Sequence, residues 1–220
     1  MTFWQQWLEH PERLLLRRIL FQLHLWVGAA ATLYILLMSL TGSAIVFRNE
    51  LNGNRLIEWL VRLHGSLLIG MTGRLVDGIG GVSLSLLCLT GAAIWWPGIK
   101  HWRRSLTVDW SGSFARLSWD LHSALGFWLF LFALLWGVSG FYFGFPDAFN
   151  FFSTLDPADR FTNLVLGWIT DLHFGRFSWI TELIWVVAGL APGILAFTGV
   201  FICCRRVIFK KPSNPKTGHE

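Results

Sequence analysis

The stretch Leu25–Phe47, LWVGAAATLYILLMSLTGSAIVF, runs 23 residues without an Asp, Glu, Lys or Arg. About 20 apolar residues cross a bilayer core of about 30 Å as a helix, so this run is long enough to span. Three more uncharged runs follow: Gly78–Ile99 over 22 residues, Leu121–Pro146 over 26 and Leu183–Cys204 over 22. The whole chain reflects them. Of its 220 residues 54% are apolar and only 14% charged, against about 25% charged in an average soluble chain. A cytosolic enzyme, a disordered chain and a disulfide scaffold are excluded, and the runs lack the alternation of a transmembrane β-barrel. The pattern predicts an all-α, polytopic membrane four-helix bundle, with spans over about 19–47, 78–99, 120–146 and 182–206. The first run exceeds the apolar core of a cleaved signal peptide, which is about 7–15 residues, and reads as a retained anchor.

Orientation follows from the basic residues, which collect on the cytoplasmic side. Four spans put both termini on one side, with 12 of the 18 Lys and Arg residues, against 6 on the other. Both termini are therefore expected on the cytoplasmic side of the lipid bilayer. The net charge of +5 follows from this bias, and no folded basic face for nucleic acid is visible. Tryptophans near the span ends (Trp26, Trp95, Trp96, Trp102, Trp119, Trp179) suit an interfacial belt. The outer loops, 49–77 and 147–181, are rich in Leu, Ile, Trp and Phe, and helical spacing over 54–69 and 161–172 predicts short amphipathic helices there. Cys88, Cys203 and Cys204 fall inside spans, form no metal or haem-attachment motif, and read as buried thiols.

The chain repeats itself. His24 is followed by Gly28 and then Thr41-Gly42; His122 is followed by Gly126 and then Ser139-Gly140, at identical intervals. Arg18 and Arg116 each precede their histidine by six residues. His64 lies 26 residues before Thr90-Gly91 and His173 lies 25 before Thr198-Gly199, and all four histidines follow leucine. Residues 1–110 and 111–220 are thus two copies of a two-span unit in one orientation, related by an axis along the membrane normal. The repeat keeps His24 and His122 near the inner ends of the first and third spans, and His64 and His173 just before the second and fourth, on the outer side.

Intramembrane ionisable residues are costly and read as functional. A lone histidine near a helix end is ordinarily interfacial; four in a repeated frame point to ligation. Zinc wants four ligands around one ion, whereas each side here offers two imidazoles and no repeated cysteine or carboxylate. Haem supplies its own four equatorial nitrogens and leaves two axial places. His24 with His122, and His64 with His173, are therefore expected to hold one haem each as axial ligands to its iron, two in all. Gly28 and Gly126, one turn from their histidines, would make room for the macrocycle. Arg18 and Arg116, beside Arg17, and on the outer side Arg74 and Arg176, would meet the propionates. Thr90-Gly91 and Thr198-Gly199 read as helix packing. His10, His101 and His219, outside the repeat, read as solvated.

These segments also resemble a known family. RRILFQLHLWVG (17–28), LTGSAIVFRNEL (40–51), LHGSLLIGMTGR (63–74) with GIGG (78–81), LTGAAIWWPG (89–98) and RLSWDLHSALGFW (116–128) are similar to the PepSY-associated transmembrane family of bacterial inner-membrane proteins. The likeness runs over nearly the whole chain, in order. Some members act as ferric-siderophore reductases with haem b on histidines. The resemblance therefore implies a di-haem oxidoreductase that passes electrons from a cytoplasmic or quinol donor to a periplasmic ferric siderophore or other ferric chelate. Typical members carry a sizeable periplasmic domain between the first two helices, where this chain has only Asn49–Asp77, so it is expected to be a short form. No dinucleotide fingerprint accompanies it, since GIGG lacks a βαβ context. Two other readings share the residues: a cytochrome b-type anchor relaying electrons to a partner, and a haem-free transport or regulatory module.

Overall fold

A computed structural model describes residues 2–51, 53–97, 102–147 and 160–208; His101 and His219 lie outside them. Among the described residues there are eight α-helices and no strand: α1 (Phe3–Glu9), α2 (Leu15–Ala44), α3 (Arg55–Ser66), α4 (Met71–Trp95), α5 (Phe114–Trp128), α6 (Phe130–Gly144), α7 (Arg160–Phe174) and α8 (Trp179–Ile208). Three of them, α2, α4 and α8, are each long and apolar enough to cross a membrane. The expected amphipathic helices in the loops are present as α3 and α7.

The expectation of one continuous span over 120–146 is corrected. The chain breaks at Leu129, and α5 and α6 meet at 70°, so the molecule has three spans, or four if the bent pair counts as one. No proline causes the break. Instead α5 is tied sideways: the Trp128 indole donates to the Leu106 carbonyl at 3.2 Å and Phe127 stacks on Trp95 at 4.6 Å. Gly126, three residues before the break, lowers the helical preference of the segment. Helix starts also move: α4 begins at Met71, not near 78, because the turn after α3 is short. Leu67 and Leu68 take positive φ (47° and 63°) and Gly70 follows at 64°, so the chain reverses within four residues and returns the end of α3 onto α2 and α4. Asn54 opens α3 by accepting from the Leu56 N–H at 2.9 Å.

The core is inverted relative to a soluble bundle. Buried positions are mostly small or hydroxylated, among them Ala124, Ala133, Ala188, Ala191, Ser39, Thr90 and Ser139, while Leu33 (78%), Leu131 (73%) and Val187 (72%) face outward. With lipid tails as apolar as leucine, helices associate through close approach and polar contacts instead. The most extensive contacts join α4 to α6 and α2 to α8; α2 also packs on α4, and α5 on α8. Gly78, Gly81, Gly137 and Gly144 bring α4 and α6 backbone to backbone. Between α2 and α8 the Ser39 hydroxyl donates to the Gly189 carbonyl at 2.5 Å and accepts from the Gly193 N–H at 3.0 Å, the two groups an α-helix pairs with each other. Ser39→Ala should therefore cost no more than about 1 kcal/mol, because the groups it bridges can re-pair within α8. A denaturant titration of the variant in detergent checks this.

Candidate functional site

The four histidines are held alike. His24 Nδ1 lies 3.0 Å from Thr90 Oγ1, His64 Nδ1 2.9 Å from Thr41 Oγ1, His122 Nδ1 3.1 Å from Thr198 Oγ1, and His173 Nδ1 2.6 Å from Ser139 Oγ. All four hydroxyl residues are buried, Ser139 completely. Every one of those hydroxyls already donates its proton to the carbonyl four residues earlier: Thr90 to Leu86 (2.7 Å), Thr41 to Leu37 (2.7 Å), Thr198 to Ile194 (2.8 Å) and Ser139 to Leu135 (2.6 Å). A hydroxyl has a single proton to give, so it must accept from the imidazole. Each ring is thereby fixed with the proton on Nδ1 and a free lone pair on Nε2, the arrangement that second-shell partners impose on metal-binding histidines. His122 has a second reason, since its Nδ1 also lies 3.1 Å from the Leu195 carbonyl, which can only accept. Among the described residues no hydrogen bond reaches Nε2 of any of the four.

Glycine completes three of these clamps. A Cβ at Gly91, Gly42 or Gly199 would meet the Cε1 of His24, His64 or His122 at 3.2, 3.0 and 3.1 Å. Gly140 differs: it faces Gly81 of α4, not His173. The Thr90-Gly91 and Thr198-Gly199 pairs, expected as packing alone, thus contact the histidines directly. Thr41 serves His64 and Thr90 serves His24, so each hydroxyl comes from a helix other than the one that carries its ring.

The pairs expected from symmetry lie together. The His24 and His122 ring centroids are 6.2 Å apart with planes at 85°. Two imidazoles binding one ion from opposite sides, through metal–nitrogen bonds of about 2 Å, put their centroids about 6 Å apart, so the spacing fits a shared central metal. His64 and His173 are near enough to act on each other electrostatically. Burial pulls His64 down to about 4 and His173 to about 3, with His64 and Arg176 adding to the fall. Both rings are therefore neutral at neutral pH, as ligation requires. Among the described residues no three His, Cys, Asp or Glu gather as a metal-ion cluster; each place offers two imidazoles, which suits a group that carries its own equatorial ligands. Gly28 and Gly126 leave room beside the first pair, since a Cβ there would touch only Leu87 at 3.6 Å or Leu195 at 3.9 Å.

The arginines divide. Arg116 binds the buried Asp120 at 2.9 Å, Arg17 donates to the Ile94 and Trp96 carbonyls at the end of α4 (2.9 and 3.2 Å), and Arg18 is exposed. Arg74 donates to the Phe143 carbonyl at 3.2 Å. Arg176 lies over the Phe174 ring at 4.2 Å, with Arg48 over the same ring at 5.0 Å, and Phe174 packs on His173 at 5.2 Å. Arg48 was not anticipated; nothing in its sequence position separates it from other flanking arginines. A cavity of about 650 Å³ lined by Arg48, Asn49, Ile57, Glu58 and Arg62 opens against α3, the helix that carries His64.

Long apolar helices around a core of small and hydroxylated residues define a multi-pass membrane protein. The chain belongs to the family described as the PepSY-associated TM region, which it matches over residues 52–155 and again over 150–206. His64 and His122 fall in the first matched stretch and His173 in the second. The chain is also 36% identical over 88 residues to an uncharacterised protein of Pseudomonas aeruginosa, an alignment covering 38% of this chain and 21% of that relative. It thus spans about a fifth of that relative's length. No solved structure matches it.

Proposed function

We propose that the protein is a di-haem b oxidoreductase of the bacterial inner membrane, passing electrons from a cytoplasmic or quinol donor to a ferric chelate, a siderophore for instance, on the outer side. The observation that carries this reading is the fourfold clamp: two histidine pairs, every ring with Nδ1 engaged and Nε2 free. Its architecture is a four-helix bundle of two tandem two-helix units, the bent α5–α6 pair being one span. Contacts recur between the halves in support: His24–Thr90 and His64–Thr41 join α2, α3 and α4 as His122–Thr198 and His173–Ser139 join α5, α6, α7 and α8. Both termini are cytoplasmic on this reading, which puts the His24–His122 pair inside and the His64–His173 pair outside.

Bound there, haem b supplies one-electron chemistry, with a potential set by its axial ligands and surroundings. The protein's residues hold and orient it. The hydroxyl clamps fix each tautomer, Arg48 and Arg176 place positive charge beside His173 for the anionic propionates, and the Arg48–Arg62 cavity suits an acidic chelate. Fe(II) is a poorer match than Fe(III) for the hard oxygen ligands of such a chelate, so reduction loosens its hold.

Protein purified from haem-replete cells is expected to be red, with two haems per chain and an absorption band that sharpens on dithionite reduction. Dithionite-free reduced protein should then be reoxidised by a ferric siderophore. A colourless preparation would leave the haem-free transport or regulatory reading, and coloured protein inert to ferric chelates would leave the relay anchor.

The clamps make a graded prediction. Thr41→Val removes the hydroxyl that accepts from His64 Nδ1 and should loosen the corresponding haem by about 10-fold or more. Thr198→Val should do less, because the Leu195 carbonyl still holds His122. Haem retention during dialysis against apomyoglobin ranks the two.

A further inference from the structure

Asp77 lies in α4, within a membrane span, and both its carboxylate oxygens are buried with no hydrogen-bond partner among the described residues. Beside it, the Tyr34 hydroxyl of α2 donates to the Asp77 main-chain carbonyl at 3.3 Å. Gly80 admits that ring, because a Cβ there would overlap Tyr34 Cε1, Cζ and the hydroxyl. A buried carboxylate with only the Tyr34 phenol beside it is costly to keep charged, and a carboxyl at membrane depth marks a proton path by default.

The other half of the molecule shows that packing does not require these groups. The step from His24 to His122 carries Tyr34 to Phe132, and the step from Thr90 to Thr198 carries Asp77 to Trp185. Phe132 and Trp185 pack ring against ring at 5.4 Å and 79°. An apolar aromatic pair fills that place; only the first half puts a phenol and a carboxyl there.

Other ionisable groups on the packed elements do not neutralise Asp77. α2 contributes Tyr34, α3 His64 and Arg62, α6 Tyr142, and α4 itself Arg74, whose guanidinium is directed at the Phe143 carbonyl. On α5, Arg116 and Asp120 are paired with each other. Among the described residues no salt bridge reaches Asp77. Along α2, Tyr34 stands seven residues from Thr41, which clamps His64, and ten from His24, about 10 and 15 Å of helix. The Asp77–Tyr34 site is thus nearer the His64–His173 pair.

From this we infer that Asp77, with Tyr34, is a proton-binding site that loads when the group held by His64 and His173 is reduced. The inference rests on the haem reading. Burial without a partner favours the protonated acid; positive charge at an oxidised iron site favours the anion, and reduction removes that charge. The reducing electron would come from the cytoplasmic or quinol donor, and one proton from outer-side water binds an Asp77 carboxylate oxygen. No bond between heavy atoms forms or breaks.

The test is a redox titration of the haem-loaded protein across pH, with redox-difference infrared spectra. In the wild type the midpoint potential of one haem should fall as pH rises, and a carboxylic-acid carbonyl band should appear on reduction. Asp77→Asn should abolish both while leaving the potential of the other haem unchanged, and Tyr34→Phe, which keeps the ring, should shift the carbonyl band. Potentials independent of pH in the wild type, or a slope or band that survives in Asp77→Asn, overturn the inference with the haem reading intact. Protein without haem overturns that reading instead, a failure visible in the absorption spectrum before Asp77 is touched.

Discussion

Replacing His122 with alanine is expected to halve the haem content of the folded protein, leaving one haem per chain with the spectrum of the His64–His173 place. His173→Ala should give the complementary result, and the double variant should be colourless. The effect is large because of where the ring stands. Loss of a second-shell partner costs about 10–100-fold in affinity, and removal of the ligand itself must exceed that. At 6.2 Å from His24, His122 has no substitute: among the described residues no third His, Cys, Asp or Glu joins the pair. Pyridine haemochrome quantitation per chain, with circular dichroism to confirm the helices, reads the result. Retention of two haems in a folded His122→Ala protein would sink the pairing. So would loss of both, since the second pair is clamped by α3, α2, α6 and α7 independently of the first.

Much of this is legible in the sequence. Uncharged runs of span length located α2, α4 and α8, because length and hydropathy are local properties of a chain. The break at Leu129 was not legible, since it is held by Trp128 reaching back to Leu106 and by Trp95 on Phe127, contacts between segments. The clamps show the same limit. The repeat keeps the spacing from His24 to Thr41 constant, but 17 residues of helix separate them by about 25 Å, and neither can reach the other. A repeat preserves spacing within a helix whether or not the partners lie within it, so the hydroxyl for each ring had to be found on the neighbouring helix. Arg116 was the opposite case. Asp120 four residues on was a visible i, i+4 partner, and the ion pair now competes with any role toward a propionate. Arg48 and Asp77 carried no signal, as a charge at the end of a span and a charge just before an apolar run are ordinary in a membrane protein.

Gly144→Val should separate packing from ligand binding with a comparably large effect. A Cβ at Gly144 would run into Gly78 Cα and N, with the Arg74 carbonyl at 2.9 Å. These are backbone atoms of the facing helix, so no side chain can rotate away, and α4 and α6 must part along their most extensive contact. Overpacking at such a place costs about 3 kcal/mol or more, roughly a hundredfold in the folded fraction. Gly126→Ala is the control: its Cβ meets only a Leu195 methyl at 3.9 Å, so stability should rise by about 0.5–1 kcal/mol, the gain of alanine over glycine inside a helix. Gly126→Leu then asks the separate question, since a larger side chain intrudes on the space beside His122 without touching the α4–α6 seam. It should lower haem content while the apoprotein unfolds at nearly the wild-type denaturant midpoint. If Gly126→Leu and Gly144→Val instead lower stability and haem content in parallel, the small residues near His122 serve helix packing alone, and the room beside that pair has no bearing on a cofactor.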